Sequence, residues 1–183
     1  MRVLILSDTH LRPGRMVLPD RLVALLDGRR DDGRGIEGAP RSAGATRPPD
    51  LILHAGDLVD PAVLSLLNRY ARVHAVLGNN DVTLQGRLAE RARFDLDGVP
   101  VAMVHDSGPR AGRPGRLRRW FPDAALVVFG HSHLPADEVG LDGQRLFNPG
   151  SPTERRRAPT RTCGLLDVEH GRIVDLRHVD LGV

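Results

Sequence analysis

The chain has 183 residues, enough for one domain with a sizeable core, and its longest apolar runs fall well short of a membrane-spanning helix. Its formal charge is +3 and its pI about 10.2, yet it contains no lysine. Arginine's very high pKa accounts for much of that pI, so the composition speaks for a GC-rich genome rather than a polyanion partner.

Aromatic residues make up only 3% of the chain, so the core must be built from Leu, Val and Ala. The first ten residues, MRVLILSDTH, lack a small-residue cleavage site and lead straight into Asp and His, unlike a signal peptide. A single cysteine, Cys163, cannot form an internal disulfide. These features predict a cytoplasmic protein with no membrane association. They leave oligomeric state open.

Taken in order, Val3 to Leu6 reads as a buried strand that runs out into Ser7-Asp8-Thr9-His10. A short helix is expected from Pro19 to Leu26. The segment from Asp27 to Pro49 is rich in Gly, Pro, Arg and Asp and has almost no periodicity, which predicts a disordered surface insertion, with a lid or partner-binding loop as the alternative. Leu51 to His54 is a second strand, ending in Gly56-Asp57. Asp60 is a candidate helix cap and Pro61 opens a helix through Tyr70. Val73 to Leu77 is a third strand, ending in Gly78-Asn79-Asn80-Asp81, and a short helix is expected over Leu84 to Arg91.

Arg93 to Leu96 and Val99 to Val104 form a hairpin around Asp97-Gly98, with His105-Asp106 at its end. Arg110 to Arg119 is a basic stretch read as a surface helix. Leu126 to Phe129 is a buried strand that ends in Gly130-His131-Ser132-His133. In extended backbone, residues two apart point the same way, which predicts that His131 and His133 share a side, as do Asp8 and His10. Arg145 to Phe147 runs into Asn148-Pro149-Gly150-Ser151. A closing hairpin is expected from Thr162 to Val168 and from Ile173 to Val179.

Any one of these strand ends could be turn chemistry. Together they place Asp8, His10, Asp57, Asn79, His105, His131 and His133, all able to bind a metal, at the ends of five strands. SDTH, GDLVD, GNND, the strand-terminal His105 and GHSH resemble, in order, the motif set of the calcineurin-like metallophosphoesterase superfamily. The short length and FNPGS are most similar to its small bacterial and archaeal phosphodiesterase branch, to which the retromer scaffold subunit is related.

The resemblance implies an α/β fold of two packed β-sheets flanked by helices, with a two-metal site at one edge. It assigns Asp8, His10, Asp57 and His133 to one ion, and Asp57, Asn79, His105 and His131 to the other. It implies a phosphoesterase acting on phosphodiesters by in-line attack of a metal-bridging hydroxide. A mixed imidazole, carboxylate and amide set without thiolate suits Mn²⁺, with Fe²⁺, Zn²⁺, Co²⁺ or Ni²⁺ as alternatives. The expected partner is a small phosphate ester. A non-catalytic scaffold and a nuclease or nucleotide-specific hydrolase are the competing readings.

Two departures from the family pattern stand out. Many members have a His after the ligand Asn, thought to protonate the leaving group. Here that position is Asn80, whose amide can donate a hydrogen bond but not a proton. Asp81 is expected either to orient Asn80 or to cap a helix. Asp106 stands where the family usually has Gly, and left-handed backbone is expected there. His54 is a candidate for a supporting or purely structural role, and Asn148 and Ser151 for shaping a loop beside the metals. His74, His170 and His178 are read as surface histidines. Arg155, Arg156 and Arg157 are read as a solvated face, with a bidentate grip on phosphate by one of them as the alternative.

Overall fold

A computed structural model of the protein describes residues 1–29 and 47–183. The insertion expected at 27–49 lies mostly outside those residues. Two five-stranded sheets make up the body of the molecule. The first has the order β10-β9-β1-β2-β3, from Arg172–Gly182, Arg161–Glu169, Arg2–Leu6, Leu51–His54 and Arg72–Ala75. The second has the order β4-β5-β6-β8-β7, from Arg91–Leu96, Val99–Val104, Leu126–Val128, Arg145–Asn148 and Ala136–Val139.

The pleat sorts the side chains. Val3 and Ile5 of β1, Leu53 of β2, Val101 and Met103 of β5, Val128 of β6 and Phe147 of β8 meet between the sheets. Their neighbours Leu4, Leu6 and Ile52 face outward, where they pack against α1 (Asp20–Leu26) and α2 (Ala62–Leu67). On the far side Ala102, Val104 and Val127 pack against Leu117 and Phe121 at α3 (Arg113–Trp120). Strands covered on both faces are apolar throughout, which is why these runs do not alternate in the sequence. The sheets packed face to face and flanked by helices are the architecture expected from the motifs.

Parallel pairing decides where the loops go. β1, β2 and β3 run parallel to one another, as do β5, β6 and β8. The loops after β1, β2, β3, β5, β6 and β8 therefore leave from the carboxyl ends of their strands, where α/β folds gather ligands.

Local chemistry explains several boundaries. Asp60 Oδ1 accepts the Ala62 N–H at 2.7 Å, and Pro61 has helical φ at −54°, so the expected cap and proline start operate at α2. Asp97-Gly98 joins β4 to β5, and His170-Gly171 joins β9 to β10. Both residues of each pair have positive φ, the conformation that matches the twist of a tight hairpin.

The helix expected over Leu84 to Arg91 does not form. A 3-10 turn at Val82–Leu84 is followed by Gly86 at φ 75°, which ends any helical course, and Arg91 already pairs with Val104. β7 has no counterpart among the expected elements. No helix among the described residues is long and apolar enough to cross a membrane.

Candidate metal centre

The loops that leave β1, β2, β3, β5 and β6 bring seven metal-capable side chains together, although not by the extended backbone that the spacing suggests. Asp8, His10, Asp57, His131 and His133 all have φ between 44° and 69°. Non-glycine residues rarely occupy that region, and such strain accumulates at functional sites. It is held by tertiary contacts. The Asp8 N–H donates to Gly56 O at 2.9 Å and the His10 N–H to Asp57 O at 3.0 Å, so the loops after β1 and β2 are laced together. The turn between His131 and His133 sends their rings to different groups of atoms.

One group surrounds His10. Its Nε2 lies 3.2 Å from His133 Nε2, 3.4 Å from Asp57 Oδ2 and 3.9 Å from Asp8 Oδ1, and His133 Nε2 is 3.3 Å from Asp8 Oδ1. The other surrounds Asn79 Oδ1, which lies 3.0 Å from His105 Nε2 and 2.9 Å from His131 Nδ1. His105 Nε2 in turn is 3.4 Å from Asp57 Oδ2. The single atom Asp57 Oδ2 thus belongs to both groups. Candidate ligand atoms of Asp8, His10 and His133, and of Asp8, Asp57 and His105, lie within 4.8 Å of one another in each trio.

The proton balance of these groups fits a cation. His105 Nδ1 lies 2.8 Å from Ala55 O, and His133 Nδ1 lies 2.8 Å from Glu154 O. A carbonyl oxygen can only accept, so both rings carry a proton on Nδ1 and turn Nε2 inward. Asp8 Oδ1 is buried with no hydrogen-bond partner, a costly position for a carboxylate oxygen unless something positive meets it. Lone pairs from imidazole, carboxylate and amide oxygen converge where few protons are available. The donor set contains no thiolate, and it suits a first-row divalent ion.

The electrostatics agree. Burial raises the Asp8 carboxyl above the usual carboxylate range, despite the hydrogen bond from Ser7 Oγ at 2.6 Å. Burial acts upward on Asp57 as well, but the neighbouring His105 and the hydrogen bonds from Asn80 outweigh it and hold Asp57 well below that range. Burial lowers His10, keeping it neutral. For His105 burial also acts downward, but Asp57 and Asp8 together raise it.

A model of the calcineurin-like phosphoesterase superfamily domain matches residues 1–171. The chain belongs to this superfamily. It is 30% identical over 158 residues to a probable metallophosphoesterase of Methanothermobacter thermautotrophicus, covering 85% of this chain and 80% of that one. Vps29 of Entamoeba histolytica, in a crystal structure complexed with Zn²⁺, shares the fold at TM-score 0.68 and 20% identity over all of both chains. The phosphoesterase YfcE of E. coli does so at TM-score 0.59 and 20% identity, again over all of both chains.

The other residues singled out in this superfamily member fall into distinct places. Asn80 binds Asp57 twice, through its N–H to Oδ1 at 2.8 Å and its Nδ2 to Oδ2 at 2.6 Å. Asp81 neither orients Asn80 nor makes a side-chain cap. It is buried and accepts the N–H groups of Asp57 at 2.9 Å, Val59 at 2.7 Å and Gly78 at 2.8 Å. His54 is fully buried, with Nε2 3.2 Å from Thr9 Oγ1, and burial pushes it down to about 3. Asp106 is exposed and outside the left-handed region, and it accepts the Gly108 N–H at 2.7 Å, so the expected left-handed backbone is not found.

Asn148 holds the loop between the two histidines, donating to Gly130 O at 3.0 Å and Ser132 Oγ at 3.1 Å. Ser151 donates to Asp8 O at 2.8 Å. His178 is not a simple surface histidine: its Nε2 meets Asn148 O at 2.7 Å and its ring stacks on Phe147 at 4.5 Å. His74 is exposed, as expected of a surface histidine, and its ring stacks on Phe94 at 5.4 Å.

Sequence reasoning passed over two glycines. A Cβ on Gly78 would lie 2.2 Å from Asp57 N and Oδ1, and one on Gly130 would lie 1.8 Å from Ser7 Oγ and 2.7 Å from Asp8 Oδ2. Each glycine lets backbone close against a carboxylate of the centre, Asp57 at Gly78 and Asp8 at Gly130. Their positions inside GNND and GHSH were the available signal.

Proposed function

We propose that this protein is a phosphodiesterase that works with two divalent cations, one held by Asp8, His10, Asp57 and His133 and the other by Asp57, Asn79, His105 and His131. The observation that carries the reading is the position of Asp57 Oδ2, 3.4 Å from both His10 Nε2 and His105 Nε2 and so common to both groups. Mn²⁺ is the proposed ion. Such ions, when bound, act as Lewis acids toward phosphoryl oxygens and lower the pKa of coordinated water.

The chain's own residues set the rest. Asp8 and Asp57 supply the negative charge that retains the cations, and the carbonyls of Ala55 and Glu154 keep His105 and His133 in the tautomer that turns Nε2 inward. Asn80 can donate a hydrogen bond but cannot protonate a leaving oxygen. The leaving group must then depart with its own negative charge, which favours aryl over alkyl esters. Arg113, Arg116 and Arg118 of α3 are engaged with Glu138 and Ser107, with the Ser107 and Pro109 carbonyls, and with Asp142, which supports a small ester over a polyanion.

The test is metal analysis of the purified protein, followed by hydrolysis of aryl phosphodiesters of graded leaving-group pKa after reloading with Mn²⁺. Two ions per chain and a rate that falls steeply with leaving-group pKa are expected. Equal rates across the series would mean that another acid replaces the missing histidine. Asn80 also favours a second reading, a metal-holding scaffold. Full metal occupancy without turnover of any ester would establish it.

A further inference from the structure

A cleft of about 750 Å³ opens beside the metal centre on the His10 side. Four pieces of chain build it: the loop from β1 into the start of α1, the loop after β8, the start of β9 and the end of β10. Thr9, His10, Thr153 and Glu154 form its inner wall. These residues also belong to the site, because the Glu154 carbonyl faces His133 and Thr153 Oγ1 donates to Thr9 O at 2.6 Å. The cleft therefore adjoins the metal centre at His10.

Its size exceeds what a phosphoryl group fills and falls within the range of about 300–1,000 Å³ typical of organic-ligand sites. Leu11, Leu18 and Leu181 give it buried apolar surface, and Val17, 78% exposed, stands at the rim. The charges nearly cancel, with Arg15, Arg21 and Arg161 against Asp20 and Glu154. Arg21 and Arg161 are directed to backbone carbonyls, of Asp180 and of Gly182 and Val183. Among the described residues the exposed Arg15 side chain makes no hydrogen bond or ion pair. An apolar floor with polar walls and little net charge suits a neutral group with both aromatic and hydroxyl surface.

We infer that this cleft is a specificity pocket for the non-reacting arm of a phosphodiester, and that the arm is of nucleoside size and character. The inference rests on the proposed phosphodiesterase reading and adds the substrate class to it. Substrate choice would lie in contacts away from the reacting phosphorus, where binding energy is available without altering the chemistry.

The test uses the Mn²⁺-loaded full chain and two readouts. By calorimetry, thymidine 5′-monophosphate should bind about tenfold tighter than methyl phosphate, and Val17→Asp or Arg15→Ala should reduce that advantage to near parity. Both side chains are exposed and neither is placed among the metal-holding residues, so the variants should fold. By kinetics, with p-nitrophenol as the common leaving group, the thymidine 5′-ester should exceed the methyl ester in kcat/KM. The variants should raise KM for the nucleoside ester alone. Equal affinity for the two phosphates, or variants without effect on the ratio, would overturn the pocket. Tight nucleotide binding sensitive to both variants, but without hydrolysis of either ester, would leave the pocket standing and remove the phosphodiesterase reading.

Discussion

Asp81 shows how far a side chain's role can lie from its place in a motif. It follows two asparagines in GNND, and nothing in that string says that its carboxylate turns back to collect three backbone N–H groups. Two belong to residues 57 and 59 and one to residue 78, so Asp81 joins the loop after β2 to the loop after β3. The same hydrogen bonds fix the backbone from which Asp57 projects. Replacing Asp81 by Ala leaves buried N–H groups without a partner, at about 1–3 kcal/mol each, so a loss of about 3 kcal/mol or more is expected. Asp81→Asn keeps one carbonyl oxygen, and with it one or two of the three bonds, and should lose less. Urea unfolding measures both, and metal uptake should fall in the same order. Asp8, His10, Asp57, Asn79, His105, His131 and His133 could be picked out as residue types able to bind metal, because side-chain chemistry is local. Which ring nitrogen faces inward could not, because it depends on carbonyls at positions 55 and 154.

At the level of elements, long apolar strands and glycine-punctuated hairpins were readable because their signals lie within a few residues. The two failures have physical causes. Over Leu84 to Arg91 the leucines imitate a helical period, but Gly86 takes a positive φ and the pairing of Arg91 with Val104 wins. β7, with the sequence Ala-Asp-Glu-Val, is too short and too polar to announce itself. It forms because β8 offers an edge, and the Asp137–Arg145 ion pair and the Glu138–Arg113 pair at 3.3 Å reinforce it. The strand-to-loop junctions are tighter than the strands. Gly130→Ala would drive a methyl group into Ser7 Oγ and the Asp8 carboxylate. Little else can move, since Ser7 and Asp8 are fully buried. The variant is expected to bind metal at least about tenfold more weakly while keeping its β-sheet circular dichroism, as strain of about 1–3 kcal/mol at the loop would give. Gly115→Ala, on α3 with nothing within 4 Å of the added Cβ, is the control and should be neutral or slightly stabilising.

For the whole molecule, metal and fold are linked through protons. The His105 imidazole holds its proton more tightly than an ordinary histidine, because Asp57 and Asp8 face it. A cation can use His105 Nε2 only after that proton leaves. Metal-dependent stabilisation is thus present in full above the raised His105 value and fades as pH falls through it, by about tenfold in affinity per pH unit for one proton released. The melting temperature with and without Mn²⁺ measures this. At a free ion concentration of about 100 Kd the gain should be about 2.7 kcal/mol, or some 5–10 °C for a chain of this size, near pH 8. The gain should shrink toward zero near pH 5. A gain independent of pH would mean that the ion binds away from His105.

The order of apolar strands, their polar ends and the motif set were all present in the chain as written. They sufficed for the sheet-on-sheet architecture and the superfamily, since both rest on patterns only a few residues long. Tertiary structure alone decided which ring nitrogens of His105 and His133 face inward, that Asp81 supports backbone, and that a cleft opens beside His10. Each of these depends on residues more than twenty positions apart being brought within a few ångströms, and on loop backbone bent into a conformation that no local preference favours.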